Sequence, residues 1–256
     1  MKSKKVSFKN HNGHSLSAYI DTPDSEIPEH YALLAHCFTC SKNYKTFSNI
    51  DRALTENGFG VLRFDFTGLG ESEGKFSDTN FTSNTDDLRA AADFMEKEFR
   101  APELLIGHSF GGAAVLQAAS TIASSVAVAT ISAPCDPAHI RKLLPLDSEE
   151  MKKKGETEVM IAGRSFRIKK QFLDDLWKAD IKKAIRGLDR ALIVFHSPLD
   201  RIVGIDNAAD IFQTAKHPKS FISLDRADHL LSDPRDAEYV GAITAVWTSK
   251  YITQTS

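Results

Sequence analysis

The segment Leu104-Leu105-Ile106-Gly107-His108-Ser109-Phe110-Gly111-Gly112-Ala113-Ala114 constrains this chain more than any other. An apolar run passes directly into Gly-x-Ser-x-Gly, and small helix-forming residues follow. That order predicts a buried strand, a sharp turn and a helix, with the Ser109 hydroxyl held out from the end of a sheet where a base can reach it. Glycine at 107 and 111 answers a steric demand, because a strained strand-to-helix turn leaves little room for a Cβ two positions on either side of its centre. Gly-x-Ser-x-Gly alone is a loose pattern in a chain of 256 residues. The strand before it and the helix after it give it meaning.

Around this segment, strand and helix patterns alternate. Residues 5–8 and 15–20 read as strands about His11-Asn12-Gly13-His14, where Asn-Gly signals a hairpin. Residues 31–36 form a short apolar strand buried on both faces. A helix over 44–57 carries Phe47, Ile50, Ala53 and Leu54 on one face and stops at Gly58. A strand over 60–66 then runs into Thr67-Gly68-Leu69-Gly70-Glu71-Ser72. An amphipathic helix over 84–99, the strand leading to Ser109, a helix over 113–122 and a strand over 125–131 complete this stretch. Such alternation predicts a parallel sheet covered on both faces.

The rhythm breaks at Pro134. A short helix over 136–143, a charged connection over 151–155, a small hairpin from 157–161 and 165–168, and a helix over 171–178 are expected. We read these as a cap or lid insertion, at about 135–180, in a single domain covering 1–256. Phe166, Phe172 and Trp177 are candidates for its substrate-pocket wall, being too many large apolar groups for a purely solvated excursion. Alternation resumes with a strand over 191–195, a helix over 207–215, a strand over 220–224 and a closing helix over 236–251, with Pro234 at its start.

Composition narrows the function classes. A net charge of −2 argues against a nucleic-acid partner. No apolar run is long enough to cross a bilayer, and the basic amino terminus has no apolar core behind it, so no secretory signal is expected. Three cysteines do not make a disulfide framework. The expectation is a reduced, soluble, cytoplasmic protein, monomer or homodimer, with no membrane partner. Cys37-Phe38-Thr39-Cys40 also admits a redox pair, or half of a zinc site that would lack its second pair because only Cys135 remains. Neither a metal nor a cofactor is expected.

A serine hydroxyl at neutral pH needs a base within hydrogen-bond reach and a carboxylate to orient that base. His196-Ser197-Pro198-Leu199-Asp200 follows a late strand, and Arg226-Ala227-Asp228-His229 follows the last one. The order Ser109, Asp200, His229 is the order this chemistry takes on a parallel sheet of this kind. Asp136, Asp225 and Asp228 compete with Asp200. His217 precedes the last strand, at the opposite edge, and the His108 side chain is expected to point away into the turn. Two backbone N–H donors are needed for the tetrahedral intermediate. Phe110 supplies one. The other falls to Phe38, in His36-Cys37-Phe38, where Cys37 stands in place of a permissive glycine and predicts altered loop geometry or strain at another residue.

Together these residues resemble the α/β-hydrolase superfamily over nearly the whole chain. Asp65-Phe66-Thr67-Gly68-Leu69-Gly70-Glu71-Ser72 is similar to its turn after the fourth strand, and Gly107-His108-Ser109-Phe110-Gly111-Gly112 to its nucleophile elbow. His36-Cys37-Phe38-Thr39-Cys40-Ser41, Arg63-Phe64-Asp65-Phe66-Thr67-Gly68 and Ser132-Ala133-Pro134-Cys135-Asp136-Pro137 are similar to the hydrolase half of bacterial proteins in which an OsmC-like domain follows. That second domain is not expected here, with the chain ending at Ser256. The resemblance implies an α/β-hydrolase fold with an eight-stranded, mostly parallel sheet, helices on both faces, and serine-dependent hydrolysis of a small-molecule carboxylic ester or thioester. Acyl transfer on the same fold, or a ligand-binding protein that keeps the hydrolase pocket, are the alternatives.

Overall fold

The computed structural model describes residues 1–24, 27–137, 149–161 and 163–252. Its first hairpin pairs β1 (Lys2–Lys9) antiparallel with β2 (Ser15–Thr22), turning where Gly13 adopts φ 80°. β1 bears Lys2, Lys4, Lys5 and Lys9 and is exposed along most of its length, as suits the edge of a sheet. Next come β3 (His30–Ala35), α1 (Lys45–Glu56), β4 (Phe59–Phe64), α2 (Phe81–Glu98), β5 (Leu104–His108), α3 (Phe110–Ala118) and β6 (Ala127–Ile131). An excursion follows, made of α4 (Glu149–Lys154), the hairpin β7 (Glu156–Ile161) and β8 (Arg164–Lys169), and α5 (Lys170–Leu176). The chain returns through α6 (Ile181–Arg186), β9 (Ala191–His196), α7 (Asp206–Thr214), β10 (Lys219–Ser223) and α8 (Pro234–Ile252).

Eight strands share one sheet in the order β1-β2-β4-β3-β5-β6-β9-β10, antiparallel at β1–β2 and β2–β4 and parallel from β4 to β10. Both faces of the central strands are buried, which is why Leu33-Leu34, Leu104-Leu105-Ile106 and Leu192-Ile193-Val194 read as unbroken apolar runs. α1 and α8 cover one face through Phe47, Ile50, Leu54 and Val240. α2, α3, α6 and α7 cover the other through Leu88, Val115, Ile185 and Ile211. Because the parallel strands run in one direction, the loops after β3, β5, β9 and β10 gather along one edge of the sheet.

The excursion departs most from the sequence expectation. Residues 151–155, read as a charged connection, belong largely to α4, which has Glu149 and Glu150 in its first turn and Lys152, Lys153 and Lys154 in its last. That distribution of charge complements a helix dipole. α6 was unexpected; it is short, and the Asp180 side chain caps it by accepting from the Lys183 N–H at 2.9 Å. α2 begins before the apolar stripe does, because Asn80 and Ser83 form a capping box, each side chain bonded to the other's backbone N–H at 2.8 Å. Serine takes the place there that Glu or Gln more often fills. From residue 138 on, the helix expected over 136–143 lies outside the described residues. No described helix is long and apolar enough to cross a membrane.

The loop after β3 is anchored by buried charge. The Lys42 side chain is 0% exposed, and its Nζ lies 2.6 Å from Asp65 Oδ2 and 2.5 Å from Glu71 Oε2. The Lys42 N–H also donates to Asp65 Oδ1 at 2.7 Å. Lys42 and Lys5 hold the Glu71 carboxyl down at about 2. Gly70 is required beside this cluster, since a Cβ there would stand 2.3 Å from the Asp65 carboxyl. Lys42→Met would leave the buried Asp65 carboxylate without its counter-ion. We expect it to cost about 3–5 kcal/mol in urea unfolding; a cost below about 1 kcal/mol would show the pair to be dispensable.

Candidate active site

Ser109 stands between β5 and α3 at φ 53°, ψ −122°, a conformation side-chain-bearing residues rarely adopt. Its N–H donates to the Ile131 carbonyl at 2.8 Å, and its own carbonyl accepts from Gly112 at 2.8 Å, so the turn is tied to both β6 and α3. The glycines on either side permit close approach. A Cβ on Gly107 would lie 2.3 Å from the Gly111 carbonyl oxygen, and one on Gly111 would lie 2.4 Å from that of His36. The sharp turn and the loop after β3 are therefore packed backbone against backbone.

Side chains from three loops converge here. Ser109 Oγ is 3.0 Å from His229 Nε2, and His229 Nδ1 is 2.8 Å from Asp200 Oδ2. With Nδ1–H donating to the carboxylate, Nε2 is left as the acceptor for the Ser109 hydroxyl proton. Asp200 Oδ1 accepts from the Ile202 and Val203 N–H groups, both at 2.9 Å, which fixes the carboxylate in its loop. Burial pushes the Asp200 pKa up, but the His229 hydrogen bond, the His229 charge and these two N–H groups together pull it down to about 2. Two of the competing carboxylates are engaged elsewhere. Asp228 Oδ1 accepts from the Ser232 N–H at 2.9 Å, and Asp225 Oδ1 accepts from the Ser223 hydroxyl at 2.6 Å.

Three further histidines brace this edge. Contrary to expectation, the His108 ring does not turn away; its centroid is 5.1 Å from that of His229, and its Nε2–H donates to the His229 carbonyl at 2.6 Å. Burial holds the His108 pKa at about 3, so the ring is a neutral strut under the His229 loop. His196 Nε2–H donates to the Val203 carbonyl at 2.8 Å and steadies the Asp200 loop in the same way. His36 Nδ1–H donates to the Cys37 carbonyl at 2.8 Å, while its Nε2 accepts from the Phe66 N–H at 3.3 Å. A signal for all three was present in the sequence: a polar residue at, or just past, the carboxyl end of an otherwise apolar strand.

In the loop after β3, Cys37 is accommodated by strain at a neighbour. Thr39, a buried β-branched residue, takes φ 62°. The turn this makes brings the Cα atoms of Cys37 and Cys40 to 5.3 Å, and the two are joined in a disulfide. The expectation of three reduced cysteines is corrected accordingly; one tight turn suffices for a bridge that a disulfide framework would not predict. Cys135 is the free thiol, and burial pushes its pKa up to about 11. Among the described residues no acceptor takes the Phe38 N–H, and Phe110, in the first turn of α3, has no intrahelical acceptor for its own.

Aromatic rings link this loop to the excursion. The Phe38 ring lies 5.3 Å from that of Phe110, 5.6 Å from Phe172 and 5.5 Å from Phe76, and Phe76 lies 5.1 Å from Phe166. Polar ties reinforce the contact: Arg164 donates to the Thr39 carbonyl, Lys169 pairs with Asp78 at 2.5 Å, and Gln171 donates to the Thr79 carbonyl at 2.8 Å. Trp177 is 64% exposed and lines a surface groove with Cys135, Leu176 and Lys182. Phe172 and Leu176 stand one helical turn apart on the inward face of α5, so the next residue is carried about 100° round the axis and away from it.

Comparison with known proteins agrees with this architecture. A family model described as the alpha/beta hydrolase family matches residues 32–242. The esterase domain of a Rhodothermus marinus protein is 51% identical, with 98% of this chain and 100% of that one covered and a TM-score of 0.82. Est1E of Butyrivibrio proteoclasticus, solved with ferulic acid bound, is 20% identical over 97% of this chain and 99% of that one, with a TM-score of 0.84, and shares the fold. YfhR of Salmonella typhimurium, an uncharacterized protein, is 28% identical over 180 residues, which span 69% of this chain and 57% of that relative.

Proposed function

The chain belongs to the alpha/beta hydrolase family, and from that premise we propose that it is a serine hydrolase cleaving carboxylic ester or thioester bonds through an acyl-enzyme. The reading is carried by one observation, the unbroken relay from Asp200 through His229 to Ser109 at 2.8 and 3.0 Å. Ser109 Oγ bonds to the acyl carbon as its proton passes to His229 Nε2. The charge that develops on the carbonyl oxygen is met by the Phe38 and Phe110 N–H groups. Collapse expels the alcohol or thiol, which takes the proton back from His229. A water, deprotonated by the same nitrogen, then attacks the acyl carbon; the acid leaves and Ser109 recovers its proton. Asp200 stays ionised throughout, holding His229 in the required tautomer.

The esterase domain from Rhodothermus marinus supports ester hydrolysis, being 51% identical over nearly all of this chain. In our reading the excursion after β6 is the lid, with Phe166 and Phe172 forming an apolar wall near the acyl group of a small-molecule substrate. A fluorophosphonate probe tests the assignment. One covalent adduct per chain, mapped by mass spectrometry to the peptide bearing Ser109, is expected. Ester turnover that continues with Ser109 unlabelled at saturating probe would overturn it.

A further inference from the structure

The peptide unit carrying the Phe38 N–H is held from its opposite end. Its carbonyl oxygen, on Cys37, accepts from His36 Nδ1–H at 2.8 Å and from the Cys40 N–H at 3.1 Å. In a trans peptide the C=O and N–H point in opposite directions, so whatever fixes the Cys37 carbonyl also aims the Phe38 N–H. His36 is fixed in turn by the Phe66 N–H. Cys40 is fixed by its disulfide to Cys37. Thr39 lies between them at φ 62°, a conformation a β-branched residue leaves when unconstrained, and leaving it would carry the Cys40 N–H off the Cys37 carbonyl. Arg164, from β8, donates to the Thr39 carbonyl, so the strained residue is also the point where the excursion grips the loop.

We propose that Cys37 and Cys40 form a thiol–disulfide exchange site that sets the aim of the Phe38 N–H, so that low-molecular-weight thiols and disulfides switch the enzyme between a fast oxidised and a slow reduced form. The proposal rests on the reading above, in which that N–H stabilises the oxyanion. Cys37 is buried and Cys40 only partly so, which makes Cys40 Sγ the point of entry. A small thiolate attacks Cys40 Sγ, the Cys37–Cys40 bond breaks, and Cys37 leaves as a thiolate that takes up a proton. A second small thiolate attacks the mixed disulfide at the sulfur of the small molecule, releasing Cys40 as a thiol and a low-molecular-weight disulfide. Two small thiols are oxidised and one protein disulfide is reduced; an excess of oxidised glutathione runs the sequence backwards.

The test uses the full chain, equilibrated with dithiothreitol or with oxidised glutathione, with thiols counted and p-nitrophenyl acetate turnover followed well below the melting transition. One free thiol, Cys135, is expected in the oxidised form and three in the reduced. Complete removal of an oxyanion donor costs about 10²–10³ in kcat, so a loosened one should cost about tenfold, with KM changed less than about twofold and full recovery on reoxidation. Cys37→Ser/Cys40→Ser should be slow in either buffer, and Cys135→Ser should switch as the wild type does. If the double variant does not fold, the wild-type titration alone decides. Equal kcat in the two redox states overturns the proposal, including the case in which reduction lowers only Tm, as a merely structural bridge would. Loss of the Ser109 adduct with the fluorophosphonate probe would instead sink the hydrolase reading, so the two failures are distinct.

Discussion

Ser109→Ala is expected to lower kcat for p-nitrophenyl acetate by about 10⁵-fold while leaving the melting temperature almost unchanged. The separation of the two effects comes from the backbone. At φ 53° the strain belongs to the Cβ, which alanine keeps, so the variant inherits the same turn and loses only the hydroxyl. The loss is not total, because the Phe38 and Phe110 N–H groups and His229 remain, and a water taking the place of Oγ retains some assistance over bulk solvent. His229 Nε2 also loses its 3.0 Å partner, and the same water in the space of the lost hydroxyl would satisfy it. Steady-state turnover on purified variant checks the result. A decrease of less than about tenfold would mean that Ser109 is not the nucleophile and that the relay through His229 serves some other group.

The segment around Ser109 was legible because its steric requirements are local. A turn so tight admits only glycine at 107 and 111, and the flanking strand and helix are visible as apolar and small-residue runs. The convergence of Asp200 and His229 on Ser109 was legible for a different reason. In a parallel sheet all strand-to-helix loops open on one edge, so residues that immediately follow successive strands are brought together whatever their separation in sequence. What escaped were features fixed by contacts no local pattern encodes. Lys42 reads as a loop lysine, and only the approach of Asp65, 23 residues on, makes it a buried one. His108 is placed by the His229 carbonyl, 121 residues away. The Cys37–Cys40 bridge depends on the φ of Thr39, to which composition and spacing are blind. Which of Phe166, Phe172 and Trp177 faces inward was not legible, because one residue's step on a short helix exchanges inside for outside.

Asp200→Asn is expected to lower kcat by about 10⁴-fold, although it removes no hydrogen-bonding atom. The two carboxylate oxygens have different obligations. Oδ1 accepts from two backbone N–H groups, at Ile202 and Val203, and Oδ2 accepts from His229 Nδ1–H. In asparagine only the carbonyl oxygen can satisfy the two N–H groups, so the amide must be oriented with its NH₂ toward His229. Nδ1 then becomes an acceptor, the imidazole proton moves to Nε2, and the nitrogen that should take the Ser109 proton already carries one. Asp228→Asn, which keeps an oxygen for the Ser232 N–H, should leave kcat within about threefold. A comparable collapse in both variants, or in Asp228→Asn alone, would move the orienting role away from Asp200. The pH dependence of stability supplies a second readout. The folded Asp200 pKa of about 2 lies below the ordinary value of about 3.9, so its stabilising contribution is complete above about pH 5 and is lost as pH falls toward 2. Wild type should therefore exceed Asp200→Asn in Tm by a constant margin through the neutral range, and that margin should close between about pH 4 and 2. A margin that instead closed near neutrality would show that Asp200 titrates there and does not hold its charge through the working range.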